Sequence, residues 1–226
     1  MPDQLRSDAI LSQLDAVANP TEIRNSSIPQ GMATEWLLED DGFFACPDYN
    51  RVVQRWALAV VYYSTGGDLW FNCSASEAAV DPCGEAGSFF NETRFLDPVQ
   101  ECAWAGISCI DDCVTEIEFE ENNLVGTIPT EIALLTDLQV WGMERGGLTG
   151  TIPTEIQVLS DLYFLVREEN TISFIGRRDL GNTTHITCVR VSLIYSGLGL
   201  QRAYGNSDIR AIDFVFLENS WYVLLL

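Results

Sequence analysis

The sequence predicts an α/β solenoid, a short stack of similar turns closed at one end by a cysteine-rich helical cap. Two observations carry this. Leu124-Val-Gly-Thr-Ile-Pro-Thr-Glu-Ile132 returns as Leu148-Thr-Gly-Thr-Ile-Pro-Thr-Glu-Ile156, 24 residues later, and Leu135, Asp137 and Leu138 return as Leu159, Asp161 and Leu162. Self-similarity at a period of roughly 20 to 30 residues marks units that bury their apolar edge only against the next unit. Six of the seven cysteines lie between Cys46 and Cys113, just ahead of the repeat, and none lies in the two clear turns. The first turn of such a stack needs a cap, because its apolar row and strand edges would otherwise be bare.

Residues 1–34 read as a polar lead-in expected to be flexible. A marginal helix with Ile10, Leu11, Leu14 and Val17 is followed by a linker bounded by Pro20 and Pro29. Residues 35–113 form the expected cap. Trp36, Leu37, Val52, Val53, Trp56, Leu58, Val60 and Val61 recur at helical spacing, and from residue 64 on Gly66-Gly67, Pro82, Gly84, Gly87 and Pro98 mark turns. Residues 114–165 hold two turns and the start of a third. In each, the Leu and Ile positions are expected to point inward. Gly126 and Gly150 allow a tight bend, and Pro129 and Pro153 fix φ where the chain leaves the strand. Asn122 is expected to bond buried backbone groups of the neighbouring turn.

From residue 166 the pattern fails. Leu165, Asn170 and Ile172 keep register, but Arg167 falls where the ladder wants an apolar residue, Phe174 replaces the glycine and Gly176-Arg177 replaces Ile-Pro. The tail, 166–226, is left unassigned. It reads either as foreign to the solenoid, as a retained intron or changed frame would be, or as a divergent C-terminal cap.

Taken back in register, the turns read Val114-x-x-Ile117-x-Phe119-x-x-Asn122-x-Leu124 and Leu138-x-x-Trp141-x-Met143-x-x-Gly146-x-Leu148. This resembles the plant-type leucine-rich repeat, roughly L-x-x-L-x-L-x-x-N-x-L-x-G-x-I-P. Cys102-Ala-Trp104-Ala-Gly106-Ile-Ser-Cys109 resembles the C-x-W-x-G-V-x-C signature of that family's N-terminal cap. Ala57 to Trp70, ending Ser64-Thr-Gly-Gly-Asp-Leu-Trp70, resembles the cap helix and its S-T-G-G-x-x-W turn. Pro29-Gln30, Ala33, Trp36-Leu37 and Asp40-Asp41 resemble the lead-in of algal members. The resemblance covers about residues 27–165. It implies a right-handed superhelix with a disulfide-bonded helical cap, a Cys102–Cys109 bridge, and a non-catalytic extracellular recognition module like the ectodomain of receptor-like proteins and kinases. A secreted inhibitor of a hydrolase, and a truncated repeat protein without stable function, are the alternatives. Algal members often carry a membrane anchor upstream, so a leader or anchor is expected to be missing ahead of Met1-Pro-Asp-Gln-Leu-Arg6, which has no basic start followed by an apolar run.

Composition narrows the partners. The net charge is −21; all twelve basic residues are arginine, and there is no lysine. Residues 1–165 carry the whole of this charge, with 27 acids against six arginines, while 166–226 are balanced. Such a chain repels nucleic acid and anionic membranes and favours cationic ligands. No run of about 18 apolar residues exists that could cross a membrane. The even cysteine cluster reads as a disulfide framework in an oxidising compartment, the pairings beyond Cys102–Cys109 staying open. Zinc is disfavoured, since no C-x-x-C occurs and His185 stands alone; no cofactor is expected. Sequons at Asn25, Asn72, Asn91 and Asn182 agree with the secretory route.

Catalysis finds little support. Arg178-Asp179-Leu180 lacks the histidine of a kinase catalytic loop, and Thr184 stands where the metal-binding asparagine belongs. One histidine gives no Ser-His-Asp set, and none of the acidic pairs has the order of a calcium loop. In the family resembled, residues flanking the inward strand positions line the concave face. Here these are Glu116, Glu118, Glu120 and Glu121 from the first turn, then Val140, Gly142, Glu144 and Arg145 from the second. Neighbouring glutamates on one strand repel unless something cationic sits opposite. The expected ligand is a protein, peptide or glycan, cationic or bridged by calcium.

Overall fold

A computed structural model describes residues 3–46, 51–76, 83, 93–119, 121–143, 145–162, 164–166, 171–174, 212–217 and 220–225. Three helices build the cap: α1 (Asp3–Asp15), α2 (Pro29–Glu35) and α3 (Val52–Ser64). Helix α3 is apolar almost all round, the mark of a helix enclosed by its neighbours; every residue from Arg55 to Tyr62 is buried. Helix α2 starts with Pro29 after the extended Ile28, the position where a missing N–H costs no hydrogen bond. It runs on into a π-helical turn, Trp36–Asp40, closed by the Asp41 N–H donating to the Trp36 carbonyl at 2.8 Å.

The lead-in is not the flexible segment expected. Ile10, Leu14 and Ile23 are buried in the common core. Arg6, polar in the sequence, is itself buried; its guanidinium donates to the carbonyls of Ala45 (3.0 Å), Leu38 (3.0 Å) and Leu37 (3.1 Å) and lies over the Phe44 ring. These partners are 31 to 39 residues away in sequence, so no local pattern announces them. The expected boundary at residue 34 falls inside α2.

At the centre of the cap sits Arg55, with no exposed side-chain surface. It grips Asp41 with two bonds (Nη2–Oδ1 2.6 Å, Nε–Oδ2 2.9 Å) and donates to Glu101 Oε2 (3.2 Å) and the Val99 carbonyl (2.7 Å). The rings of Trp36, Phe43 and Trp104 lie within 5.2 Å of its guanidinium carbon. Gln54 donates to the other Glu101 oxygen at 3.0 Å. A buried charge is tolerable only when paired and fully hydrogen-bonded, and a planar fork facing carboxylates, a carbonyl and aromatic faces meets that demand.

The repeats form two ladders. Strands β1 (Ile107–Ile110) and β2 (Cys113–Glu118) make an antiparallel hairpin. Its two-residue turn puts Asp111 (φ 51°) and Asp112 (φ 61°) in the left-handed region, as hairpins that follow the strand twist require. Beyond β2 lie β4 (Val140–Gly142) and β6 (Phe164–Val166), both parallel to it. Glu116 is level with Val140 and Val140 with Phe164, a step of 24 residues that matches the sequence repeat. The second ladder runs β3 (Val125–Thr127), β5 (Gly147–Ile152), β7 (Thr171–Phe174). Here Val125 pairs with Gly147 and Thr149 with Thr171, a step of 22. A slip of two keeps every side chain on its own face.

Short 3₁₀ turns, Thr130–Leu134 and Thr154–Val158, follow Pro129 and Pro153 and link the ladders. Among the described residues the repeats therefore contain no α-helix, where the expected class was α/β; about ten residues from proline to the next strand leave no room for one. Leu124, Ile128, Leu135 and Leu138 are buried, as are their counterparts Leu148, Ile152, Leu159 and Leu162, in one core with the cap helices. Strand β7 carries the second ladder past the expected limit at residue 165. Strands β8 (Ile212–Leu217) and β9 (Ser220–Leu225) form an antiparallel pair in the tail. Arg167 and Gly176-Arg177 lie outside the described residues.

Two glycines fix how the cap meets the first turn. Gly126 (φ 108°) would place a Cβ 2.3 Å from the Ser64 carbonyl oxygen, and Gly66 (φ 67°) would place one 2.6 Å from Val125 Cγ2. Between them the Val125 N–H donates to the Thr65 carbonyl at 2.9 Å.

Replacing Arg55 with Met leaves Asp41 and Glu101 buried without their cation. The expected loss is about 3–5 kcal/mol, read as a lower urea midpoint. Burial also raises the phenol of Tyr62 above its ordinary range and, helped by the Asp68 carboxylate, pushes Tyr63 up to about 12. The neutral phenols favour the fold below the unfolded value of about 10. That contribution is lost as pH rises from about 10 toward 12, so thermal unfolding should fall across this window. Tyrosinate absorbance should lag behind that of the urea-unfolded chain.

Candidate recognition surface

The surface starts from the junction of cap and first turn. Asn122, almost fully buried, accepts from the Asn72 N–H (2.7 Å) and donates to the Asn72 carbonyl (3.1 Å). Its partner is thus a cap loop rather than the neighbouring turn. In the second turn Gly146 holds the equivalent place and has no carboxamide to offer. Asn123, next in line, donates to the Leu69 carbonyl at 2.9 Å. Trp70 packs on Phe119 (4.7 Å between centroids) and Phe95 on Trp104 (4.8 Å), so aromatic faces join the cap to the first rung.

Along β2 the side chains alternate. Ile117 and Phe119 are buried inward, while Glu116 and Glu118 are half-buried on the outer face. The register sets Ser108, Glu116 and Val140 side by side and Glu118 beside Gly142. The eight residues expected to line the face do not act alike. Val140 is only 7% exposed and Gly142 is buried. Both sit on a central strand with neighbours on either side, so they offer little side-chain surface to a ligand. A Cβ on Gly142 would touch Glu118 at 3.7 Å, an ordinary contact. The backbone therefore does not require glycine there, and the glutamate stem leans over the gap.

Glu121 and Arg145, at equivalent places in consecutive turns, both adopt left-handed backbone (φ 55° and 52°). They form an ion pair with each other, side chains 61% and 50% exposed. Two residues expected to line the face are thus paired with each other on the surface. Glu120 and Glu144 lie outside the described residues, as do Asn91 and Asn182. Of the other sequons, Asn25 is exposed and Asn72 is half-buried.

Arginine in the acidic part is largely committed. Arg24 grips Asp15 (2.6 and 2.8 Å), and its hydrogen bond holds the Asp15 carboxyl below the usual range. Arg51 donates to the carbonyls of Asp111 and Asp112 at 3.2 Å. Gln54 and Gln100 also reach Asp112, at 3.0 and 2.8 Å. The Asp111-Asp112 pair is therefore a hairpin turn tied to α3. Two aspartates between strand-like runs were its signal in the sequence.

The cysteine cluster resolves into two bridges, Cys73–Cys83 and Cys102–Cys109, with Cys46 and Cys113 as thiols. Burial, then the Asp137 carboxylate, pushes the Cys113 thiol up, which makes it a poor nucleophile. Among the described residues no three His, Cys, Asp or Glu side chains gather to hold a metal ion. None of their helices is long and apolar enough to cross a membrane.

No family model matches the chain, and no curated protein matches it. Parts of it resemble solved structures. The complex PEPR1–AtPEP1 is 27% identical over 32% of this chain and 10% of that one, with a TM-score of 0.29. A plant ice-binding protein is 27% identical over 31% and 24%, TM-score 0.30. The LRR ectodomain of the receptor kinase SOBIR1 from Arabidopsis thaliana is 21% identical over 52% and 53%, TM-score 0.28. The chain spans about half of the last and less of the others. The likeness to leucine-rich repeat structures is weak and partial, and it selects no function.

Asn122→Ala leaves the Asn72 N–H and carbonyl without their partner. The expected cost is about 2–3 kcal/mol in denaturant unfolding. Arg145→Ala, breaking an exposed pair, should change stability by no more than about 0.5 kcal/mol. A large effect at Arg145 would show that the pair holds the turns together.

Proposed function

We propose that this chain is a non-catalytic extracellular recognition module: a disulfide-bonded cap that begins with α1 and ends at residue 113, followed by a short right-handed leucine-rich repeat superhelix whose ladders run on through β6 and β7. It works by holding a rigid outer strand face against a protein or peptide ligand. The observation that carries this is the β2–β4–β6 ladder, whose step equals the sequence repeat and whose first strand is fixed to the cap through β1. A ladder of this kind keeps its outer residues at fixed spacing of about 4.8 Å between strands. Binding then need not be preceded by ordering of the surface.

The outer face offers Ser108 level with Glu116, and Glu118 two residues further along β2, in a part of the chain with far more acids than bases. The ligand that fits this chemistry is a cationic peptide segment; a glycan would have to rely on Ser108 and the glutamate oxygens. Two disulfides in the cap support an oxidising, extracellular setting. The wild-type chain should bind an arginine-rich nonapeptide more tightly than a neutral peptide of equal length, and affinity should fall with salt. Glu116→Gln with Glu118→Gln should weaken the basic peptide about tenfold and flatten its salt dependence. An unchanged affinity in the double variant would sink the assignment of this face.

A further inference from the structure

The sequons at Asn25 and Asn72 look alike in sequence, but folding treats them oppositely. At Asn25-Ser26-Ser27 all three residues are exposed. The Asn25 carboxamide accepts from the Ser27 N–H through its oxygen, at 3.1 Å. The nitrogen, which is the atom that is glycosylated, is not the one engaged in that bond. The segment sits between α1 and α2 and needs no opening of the core to be reached.

Asn72-Cys73-Ser74 is held at each residue, with Cys73 and Ser74 buried and Asn72 half-buried. The Asn72 main chain is held on both sides by the buried Asn122 carboxamide. Cys73 adopts left-handed backbone (φ 56°) and is bridged to Cys83. Ser74 has no exposed surface. Its hydroxyl donates to the Gly67 carbonyl (2.7 Å), contacts the Tyr62 hydroxyl (3.0 Å) and accepts from the Ser76 N–H (3.0 Å). An oligosaccharyl transferase must reach the hydroxyl of the sequon's third residue, which at Ser27 lies on an exposed turn. In the folded cap the Ser74 hydroxyl is wholly enclosed.

We propose that, of the two sequons among the described residues, Asn25 is the one open to glycosylation in the folded chain, and that at Asn72 glycan transfer must precede closure of the cap. The inference rests on the extracellular reading above. The transfer joins the Asn Nδ2 to the anomeric carbon of a lipid-linked oligosaccharide and breaks that carbon's bond to the pyrophosphate oxygen. The lipid pyrophosphate leaves, taking up the proton lost by the amide. At Asn72 this can happen only before Cys73 pairs with Cys83 and Ser74 is enclosed. Cap folding thereby decides whether the second glycan is added.

The test sends the full chain into the secretory pathway of a eukaryotic host behind a cleavable leader. Site occupancy is read by enzymatic deglycosylation in ¹⁸O water and peptide mass spectrometry. The expected wild-type result is near-complete occupancy at Asn25 and several-fold lower occupancy at Asn72. Dithiothreitol added during synthesis should raise Asn72 several-fold and leave Asn25 unchanged. Cys73→Ala with Cys83→Ala, which keeps the sequon, should do the same; it is read in the intracellular fraction so that poor secretion does not hide the result. Equal occupancy at both sites in untreated cells, or no response at Asn72 to reductant and to the double variant, would overturn the proposal. So would a bare Asn25 while a control glycoprotein in the same cells is modified. Failure of the natural chain to leave its own cell would instead count against the extracellular reading.

Discussion

The buried Arg55 guanidinium is the constraint on which the cap depends. It draws together segments otherwise unrelated in sequence: the turn around Asp41, the stretch from Asp97 to Glu101, and the rings of Trp36, Phe43 and Trp104. Each is irregular backbone that a small helical cap has little apolar surface to fix. A single cation with two carboxylates, a carbonyl and three ring faces fixes them, because any arrangement that loses one partner leaves a buried charge exposed to the full desolvation cost. Lysine could not substitute, since one ammonium point cannot span that fork. In a chain without lysine, this choice of cation is consistent throughout.

From this cap the repeats inherit their starting register. Strand β1 pairs with β2, the Glu118 N–H donates to the Gly106 carbonyl, and Val125 donates to Thr65. Asn122 adds two bonds to Asn72. The first rung of each ladder is therefore covered by cap backbone instead of presenting bare edges. The next rung follows by pairing on the first, as in other quasi-one-dimensional stacks. The inward Leu and Ile positions then extend one continuous core from α3 to Leu162.

How much of this was legible depended on whether the partners were near in sequence or repeated. The 24-residue repeat gave the first ladder step, the buried leucine rows and the tight glycine at Gly126. The 22-residue step of the second ladder has no signature in the sequence, which repeats at 24. Helix α1 read as flexible because Arg6 finds its partners more than 30 residues away. The face was read in part. Alternation placed Glu116 and Glu118 outward, but the crowding at Val140 and Gly142 comes from strands on both sides. The Glu121–Arg145 pair could have been foreseen, since opposite charges at equivalent positions of adjacent turns must meet.

If cap and repeats are one unit, the recognition face is as rigid as the core beneath it. Native-state hydrogen exchange on the full chain tests this most directly, by comparing slow amides of α3 with those of β2 and β4. One opening free energy shared by the helix and both strands is the expected result. Strands that open well below α3 would show that the ladder is only loosely hung on the cap, contradicting a face held rigid by Arg55 and its partners.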